Sequence, residues 1–315
     1  MGLIHTVTGS VDSGDLGPVL PHEHLPLHFL AQEDDEFEPG SKQIVKSWYE
    51  GIFDELLKTQ FRTMVACIPI GHGRDVEFRK ELIGDRPINV IMATGFYKDD
   101  KQPKWAREKS ADECTDLMVS EIEEGIGDSG VRAGIIKLAP TASSGQSRKV
   151  CRAGVNASLQ TGARITTHSA GCSRESFDLL TEFGAAPENI YIGHADFADH
   201  DENADICRRG GNLLFTVWDV EYMIPERLMY RRFADLIEAG YTDNLLMSVD
   251  FAIMVQNGKR PTYLSWTLYG VEGRTHAYLA TTVIPVLRKD YGVSEEDLYT
   301  ITVENPRRML DFRGN

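Results

Sequence analysis

The sequence predicts an α/β protein, a (β/α)₈ TIM barrel with a short N-terminal β-hairpin and C-terminal helices. Three observations predict it: eight short apolar runs recur along the 315 residues, helical stretches separate most of them, and ligand-type side chains follow several runs. A chain of this length holds either one decorated barrel of roughly 250 residues or about two average domains. Because no Pro-, Gly- or Ser-rich linker divides the chain, we expect one domain over residues 1–315.

The N-terminal segment comes first. Residues 3–11 are followed by Asp12-Ser13-Gly14, which predicts a small hairpin before the barrel. The eight apolar runs then predict the barrel strands, because β-branched content without polar alternation is typical of strands buried on both faces. The runs are Val19-Leu20 leading into Pro21, Met64–Ile68, Asn89–Thr94, Gly134–Leu138, Ala163–His168, Asn189–His194, Asn212–Val217 and Asn244–Asp250.

The stretches between the runs predict helices, and strands that alternate with helices imply a parallel sheet. The predicted helices are Ser41–Gln60, Ala111–Ile126, Ser147–Thr161, Ser173–Phe183 and Pro225–Ala239. The tail from Thr275 to Arg313 predicts two helices, with one break near Tyr291-Gly292 and another before Pro306.

Charge and composition exclude several classes of partner. Lys and Arg total 33 and Asp and Glu total 48, so the formal net charge is −15. Because nucleic acid and anionic membranes are bound by a positive face, we expect neither as a partner. Met1–Ser10 does not resemble a signal peptide, and the five scattered cysteines contain no Cys-x-x-Cys pair. We therefore expect a cytoplasmic protein with free thiols that acts on a small molecule.

Chemistry-bearing residues follow the carboxyl ends of five predicted strands. In a (β/α)₈ barrel these ends surround the active site. The first strand leads into Pro21-His22-Glu23-His24, the fourth carries Lys137, and the others end at His168, His194 and Asp250. Four histidines, one lysine and one aspartate are thus expected on one rim.

The pair His22 and His24 suggests a metal site. Residues two apart on a strand face the same way, so both imidazoles would point into the barrel mouth and could bind one divalent ion. A lone His-x-His arises often by chance, and His168 or His194 alone would more often be a hydrogen-bonded core histidine. Together with Asp250, however, histidines at three strand ends predict a metal centre.

Lys137 is unusual because it lies within an apolar run, Gly134-Ile135-Ile136-Lys137-Leu138. A lone buried ammonium is costly, so it must lose its charge, find a partner or be modified. It could pair with a carboxylate, or its long stem could carry the charge to the rim. A third alternative is a carbamate formed from carbon dioxide, which would turn a cation into an anionic bridge between two metals.

These motifs as a set resemble the phosphotriesterase-related family of the amidohydrolase superfamily, over about Thr8–Leu310. The segment Ala93-Thr94-Gly95-Phe96-Tyr97 is similar to the lactonase-type members. The motifs that carry the resemblance are His22-Glu23-His24-Leu25, the strand with Lys137, Thr167-His168, Ile192-Gly193-His194-Ala195-Asp196, Ser248-Val249-Asp250 and Val303-Glu304-Asn305-Pro306-Arg307-Arg308-Met309-Leu310.

The resemblance implies a binuclear centre. His22, His24 and Asp250 would hold the more buried metal and His168 and His194 the more exposed one, with Lys137 as an N6-carboxylated bridge. A bridging hydroxide would attack the substrate while Asp250 acts as the proton shuttle. Zinc suits imidazole and carboxylate ligands best, with manganese, cobalt or iron as alternatives. The resemblance also implies a homodimer.

The expected substrate contacts are Tyr97, Trp218, Asp219 and Tyr222, with Tyr97 also a candidate catalytic residue. The segment after the seventh strand is aromatic and acidic, which favours a neutral or weakly charged substrate. We therefore predict a metal-dependent hydrolase of a lactone or another carboxylic ester. The alternatives are a phosphotriesterase or amidase that uses the same centre, a non-catalytic metal- or ligand-binding relative, and a metal-free barrel with structural histidines.

Overall fold

Two short antiparallel strands begin the chain, β1 (Leu3–Thr6) and β2 (Gly9–Asp12), and they form the predicted hairpin. The computed structural model describes residues 2–28, 30–219, 227–256, 260–263 and 274–312. A second small sheet joins β4 (Leu27–His28), β12 (Ile253–Val255) and β13 (Thr262–Tyr263), which lie on segments that follow the first and last barrel strands.

Eight parallel strands form the central sheet, each at the position of a predicted apolar run. Each strand pairs with its neighbour in the chain, in the order β11-β10-β9-β8-β7-β6-β5-β3. The predicted (β/α)₈ barrel is thereby confirmed. The strands are β3 (Val19–Glu23), β5 (Thr63–Ala66), β6 (Asn89–Phe96), β7 (Ala133–Leu138), β8 (Ile165–Thr167), β9 (Ile190–Gly193), β10 (Asn212–Phe215) and β11 (Leu245–Met247).

The barrel closes between β11 and β3 without a strand ladder among the described residues. Instead, the chain after β11 bonds to the end of β3. Asp250 N donates to His22 O at 3.2 Å, and His24 N donates to Phe251 O at 3.0 Å. His22 N also donates to Ser248 Oγ at 3.0 Å. We call this junction the seam, and it lies beside the predicted metal ligands.

Helices cover the outside of the sheet. They are α1 (Pro39–Leu57), α2 (Val76–Ile83), α3 (Lys104–Glu108), α4 (Ala111–Glu123), α5 (Gly145–Thr161), α6 (Ser173–Glu182), α7 (His200–Arg208) and α8 (Leu228–Glu238). Five of them occupy predicted stretches. Helices α2, α3 and α7 were not predicted, because α2 is only eight residues long, α3 only five, and α7 buries only Asn203, Ile206 and Cys207. Such short or polar stretches carry little apolar periodicity.

The C-terminal region corrects one prediction. Helix α9 (Ile284–Tyr291) ends at Gly292 in the left-handed conformation, as predicted, with φ of 69°. Helix α10 (Glu295–Tyr299), however, continues through a π-helical turn into α11 (Asn305–Leu310), so the predicted break before Pro306 is wrong. Pro306 lies directly after this π-helical turn, in which Asn305 N donates to Thr300 O, so the regular ladder that a proline would interrupt is already altered there.

The apolar core has two layers. The larger one lies between the sheet and the helices and includes Leu20, Ile136 and Phe215. The smaller one lies inside the barrel and contains residues such as Val19, Ile135 and Leu246 from strands all around it. Ile4, Leu16, Met309 and Leu310 belong to this inner layer and so close the amino-terminal end of the barrel. The opposite end is left for polar side chains.

The membrane and cysteine predictions can be compared with the structure directly. Within the described ranges, no helix has both the length and the apolar character needed to cross a bilayer. All five cysteines are free thiols, and Cys172 is the one that is partly exposed, which agrees with the predicted absence of disulfides.

Candidate metal centre

Strand alternation brings Lys137 to the barrel mouth. Ile135 lies in the inner layer and Ile136 in the outer layer, so Lys137 points inward again. Strand β6 approaches β7 closely at this point, because a Cβ on Gly95 would overlap the Lys137 carbonyl oxygen. His168 follows β8 by one residue and lies at the same end of the barrel.

His22 and His194 reach the same mouth through irregular backbone. The pairing of β3 with β5 is irregular between Leu20 and Glu23, which changes the simple alternation that begins at Val19. His194 has a left-handed φ of 60° directly after β9, so its side chain leaves the strand pattern. Gly193 leaves room for His22, since a Cβ there would overlap Thr167 O and lie 3.1 Å from His22 Cε1.

All six predicted ligands lie in one connected group. Ligand atoms of His22, His194 and Asp250 lie within 4.8 Å of one another. Asp250 Oδ1 is 3.1 Å from His24 Nε2 and 3.8 Å from His22 Nε2. The His194 ring centroid is 4.4 Å from that of His168 and 5.0 Å from that of His22. Lys137 joins the group through His22, as described next.

The Lys137 side chain is 1% exposed, and its ammonium lies among imidazoles. Nζ donates to Thr167 O at 3.1 Å and lies 3.0 Å from His22 Nε2. Among the described residues no carboxylate forms an ion pair with it, which removes the first of the three alternatives for this lysine. Burial lowers its pKa, so the charged form is disfavoured here.

Three of the four imidazoles, those of His22, His168 and His194, are neutral near pH 7. Burial lowers the pKa of His22 and of His168 well below the ordinary range and that of His194 to about 4. Burial alone would raise the pKa of Asp250, but the hydrogen bond with His24 and the nearby His194 outweigh it, and the pKa is lowered. The cluster therefore offers neutral nitrogen lone pairs and one carboxylate, which are the forms that bind metals.

A second layer of contacts orients His194. Its Nδ1 lies 2.8 Å from Thr216 Oγ1, and Thr216 Oγ1 donates to Asp196 Oδ2 at 3.2 Å. Because the threonine hydroxyl has a single hydrogen, which goes to Asp196, it accepts from Nδ1–H of His194. In this tautomer the lone pair of His194 is on Nε2. Metal-binding histidines are usually fixed in this way.

The residues fit a divalent cation. His22 Nδ1 and His24 Nδ1 are buried and have no hydrogen-bond partner among the described residues. Three or more imidazoles with a carboxylate are the ligand set that zinc and neighbouring transition metals prefer. His22, His24 and Asp250 could hold one ion, and His168 and His194 lie together beside it.

Tyr97 lies at the edge of this group. Its hydroxyl is 3.2 Å from His168 Nε2, and its ring packs edge-on against those of His168 and His72. Burial raises the pKa of Tyr97, so the hydroxyl keeps its proton at neutral pH and can donate it in a hydrogen bond.

The other predicted substrate contacts have different surroundings. Trp218 is fully buried against Tyr230 and Phe233 and donates through Nε1 to Ser248 O at 3.0 Å. A fully buried ring offers no surface to a substrate, so its predicted place in the pocket is corrected to a core position. Asp219 Oδ2 accepts from the hydroxyls of Tyr230 at 2.5 Å and Tyr278 at 2.7 Å. Tyr222 lies outside the described residues.

Three residues of the site were missed by sequence reasoning, namely Thr216, Glu23 and His276. Thr216 contacts His194, and the carboxylate of Glu23 accepts from Nδ1 of the fully buried His276 at 2.8 Å. Glu23 lies between two predicted ligands, which was the one available signal. Nothing near Thr216 or His276 in the sequence indicates the partner, because each contact joins distant parts of the chain.

Comparisons with known proteins agree with this geometry. The model of the phosphotriesterase family matches residues 2–310. The aryldialkylphosphatase of Saccharolobus solfataricus is 28% identical, over 96% of this chain and 97% of that protein. The human N-acetyltaurine hydrolase is 27% identical over 99% of each chain. A solved structure, described as organophosphate hydrolysis activity engineered from a weak promiscuous lactonase template, superposes with a TM-score of 0.84 at 26% identity, over 98% of this chain and 100% of that one.

Proposed function

The chain belongs to the phosphotriesterase family of metal-dependent hydrolases, and from that premise we propose that it hydrolyses a lactone or another carboxylic ester at a binuclear centre. The observation that carries the proposal is the convergence of His22, His24, His168, His194 and Asp250 around the buried Lys137.

The ligands divide into two sets that share Lys137. His22, His24 and Asp250 would hold the more buried ion and His168 and His194 the more exposed one. When bound, the two ions lower the pKa of a water molecule and polarise the substrate's carbonyl oxygen. Zinc fits the imidazole-rich set, and manganese, cobalt or iron also suit it.

Lys137 would serve as a carbamate. Its Nζ, as the neutral amine, would add to the carbon of CO₂ and release one proton, which leaves an anionic N-carboxylate. The contacts of Nζ with His22 Nε2 and Thr167 O support this, because they leave the ammonium without a carboxylate partner among the described residues. An anion in this position would offset part of the charge of two divalent cations.

Asp250 would move the proton. Its lowered pKa keeps the carboxylate ionised at neutral pH, so it can accept the proton of the attacking water. It would then pass that proton to the departing alkoxide oxygen of the ester. Tyr97, protonated and 3.2 Å from His168 Nε2, would donate a hydrogen bond to an oxygen of the bound substrate.

The lactone assignment draws on Tyr97 and on the lactonase template named for the similar structure. The other family chemistries are also supported by relatives, since one is an aryldialkylphosphatase and others hydrolyse N-acetyltaurine, an amide. The same six ligands of this chain would suit all three reactions, so the choice among them would depend on the pocket wall.

A substrate panel at fixed metal tests the proposal. Zinc-loaded protein would be assayed with lactones, aryl esters, N-acyl amino acids and an organophosphate triester, beside Asp250→Asn as the matched isosteric control. We expect the highest kcat/KM on a lactone or ester and a fall of about 100-fold or more in the variant. Highest activity on the triester or the amide would reassign the substrate, and equal activity of the variant would exclude Asp250 as the base.

A further inference from the structure

Glu23 carries a fully buried carboxylate at the seam. Oε1 accepts from Ser248 Oγ at 2.6 Å and from Val249 N at 2.7 Å. Oε2 accepts from Phe251 N at 3.1 Å and from His276 Nδ1 at 2.8 Å. Each oxygen thus takes two hydrogen bonds, which is close to the full acceptor capacity of a carboxylate.

Two of these hydrogen bonds come from the backbone on either side of Asp250. Glu23 binds the backbone N–H groups of Val249 and Phe251, which are the residues on either side of it. Asp250 itself has a left-handed φ of 55°, and a non-glycine residue in that region costs on the order of 1 kcal/mol or more. Such a conformation persists only where the surrounding contacts hold it.

The seam explains why a side chain is needed to hold the turn at Asp250. Among the described residues no strand ladder joins β3 to β11, so the Glu23 carboxylate binds N–H groups that a neighbouring strand would otherwise bind. The carbonyl groups of the same turn have their own partners. Trp218 Nε1 donates to Ser248 O at 3.0 Å, and Arg274 Nη2 donates to Val249 O. On the N–H side of the turn, Glu23 binds the groups of Val249 and Phe251, and His22 O accepts from that of Asp250.

His276 holds the Glu23 carboxylate in turn. It is fully buried, its ring centroid lies 4.7 Å from that of Phe251, and its Nδ1 is 2.8 Å from Oε2. The Glu23 side chain accepts at both oxygens, so Nδ1–H of His276 is the donor in this contact. The chain from His276 through Glu23 to the two N–H groups ends at Asp250.

We propose that Glu23 and His276 are positioning residues for the hydrolytic reaction, which hold Asp250 in the left-handed turn that aims its carboxylate into the metal cluster. The proposal rests on the proposed role of Asp250. Neither residue reaches the reacting atoms, and both act through the backbone of the turn.

The first test compares Glu23→Gln with Glu121→Gln. In the first variant an NH₂ group replaces one oxygen, so two of the four donors lose their acceptor, one of them a backbone N–H beside Asp250, and the turn relaxes. A displacement of about 1 Å costs roughly 100-fold in rate, so we expect kcat to fall about 30- to 100-fold while KM changes less than about 3-fold. Glu121 is the matched control, because it is also a buried carboxylate, which accepts from Arg74 Nη1 at 2.6 Å and Thr94 Oγ1 at 2.5 Å.

A second readout is independent of turnover. Both variants would be loaded with Co²⁺, whose visible absorption reports the ligands around the ion, and cobalt content and thermal unfolding would be measured. We expect two ions per chain in each, with a changed spectrum only in Glu23→Gln. If Glu23→Gln is folded and keeps both the wild-type spectrum and the wild-type kcat, the proposal is wrong.

His276 provides a test that does not depend on Glu23→Gln folding. His276→Asn keeps an N–H donor near the position of Nδ1–H, whereas His276→Phe keeps an aromatic ring but has no donor. We expect kcat within about 3-fold of wild type for the asparagine variant and at least about 10-fold lower for the phenylalanine variant. Equal kcat in the two would show that packing alone matters and would overturn the proposal.

The two proposals can fail separately. If the wild-type protein hydrolyses none of the panel substrates, the proposed function fails. The cobalt spectra of Glu23→Gln, His276→Asn and His276→Phe still decide whether these residues position Asp250, because they need no substrate. A spectrum that changes in Glu23→Gln and His276→Phe but not in His276→Asn supports positioning, and any other pattern contradicts it.

Discussion

Replacing Thr216 with valine should weaken metal binding through its contact with His194. The substitution keeps the branched shape and removes only the hydroxyl, which accepts from His194 Nδ1 at 2.8 Å and donates to Asp196 Oδ2 at 3.2 Å. Without it, the imidazole loses the contact that keeps hydrogen on Nδ1, and the tautomer with hydrogen on Nε2 becomes accessible. That tautomer has no lone pair directed at the metal.

The size of the effect follows from burial. Both groups lie in the interior, with His194 3% and Thr216 0% exposed, so water cannot replace the lost bond. An unsatisfied buried donor costs about 1–3 kcal/mol, and each 1.4 kcal/mol is about tenfold in an equilibrium constant. We therefore expect zinc affinity at the more exposed site to fall about 10- to 100-fold, which matches the usual weight of such contacts.

Competition between the apoprotein and a coloured chelator would measure zinc affinity, with kcat determined at saturating zinc. Thr166→Val is the matched control, because Thr166 is also a fully buried barrel threonine and its Oγ1 has no hydrogen-bond partner among the described residues. We expect that control to bind zinc as the wild type does. Affinity within about twofold of wild type for Thr216→Val, or an equal loss in both variants, would refute the assignment of the His194 tautomer.

Three further predictions concern other groups. Lys137→Ala should lose bound zinc and activity together, and acetate or formate should restore part of both if a carbamate is the native ligand; wild-type zinc content would argue against it. Tyr97→Phe should lower kcat about tenfold without changing zinc content, since only the hydroxyl beside His168 is lost. Burial would raise the pKa of Asp35, but Arg74 and the backbone N–H groups bound to it outweigh burial and lower it. Its stabilisation is therefore complete above the ordinary aspartate pKa of about 3.9 and is lost as pH falls through the lowered value. Asp35→Asn should lower the free energy of unfolding by about 2 kcal/mol at pH 7 and by progressively less below about pH 4. Denaturant titrations would measure it, and a difference between variant and wild type that does not change with pH would contradict this prediction.

The strands could be predicted because each one is a local pattern. A run such as Gly134–Leu138 is buried on both faces wherever it lies in the barrel, so its composition is sufficient to identify it. The position of Lys137 within that run also follows from alternation alone. Helix α7 and the continuous helix through Pro306 could not be predicted in this way, because their winding depends on burial against neighbours and on a π-helical turn.

The predicted ligands were found for a different reason. Residue types that bind metals are costly to bury without a purpose, so His22, His24, Lys137, His168, His194 and Asp250 at strand ends are conspicuous even in one sequence. Their approach to one another, however, depends on the irregular pairing of β3 and on left-handed turns at His194 and Asp250. Simple alternation does not predict these turns.

By itself, the sequence determined the barrel, the end of it that carries the chemistry and the six candidate ligands, because strand periodicity and residue type are local properties. The tertiary structure alone decided which residues support them. His276 bonds to Glu23 across 253 positions of the chain, and Trp218 lies in the core instead of the pocket. Such contacts arise only when the closing barrel brings distant segments together and removes water from between them, and no local pattern records which partner will be there.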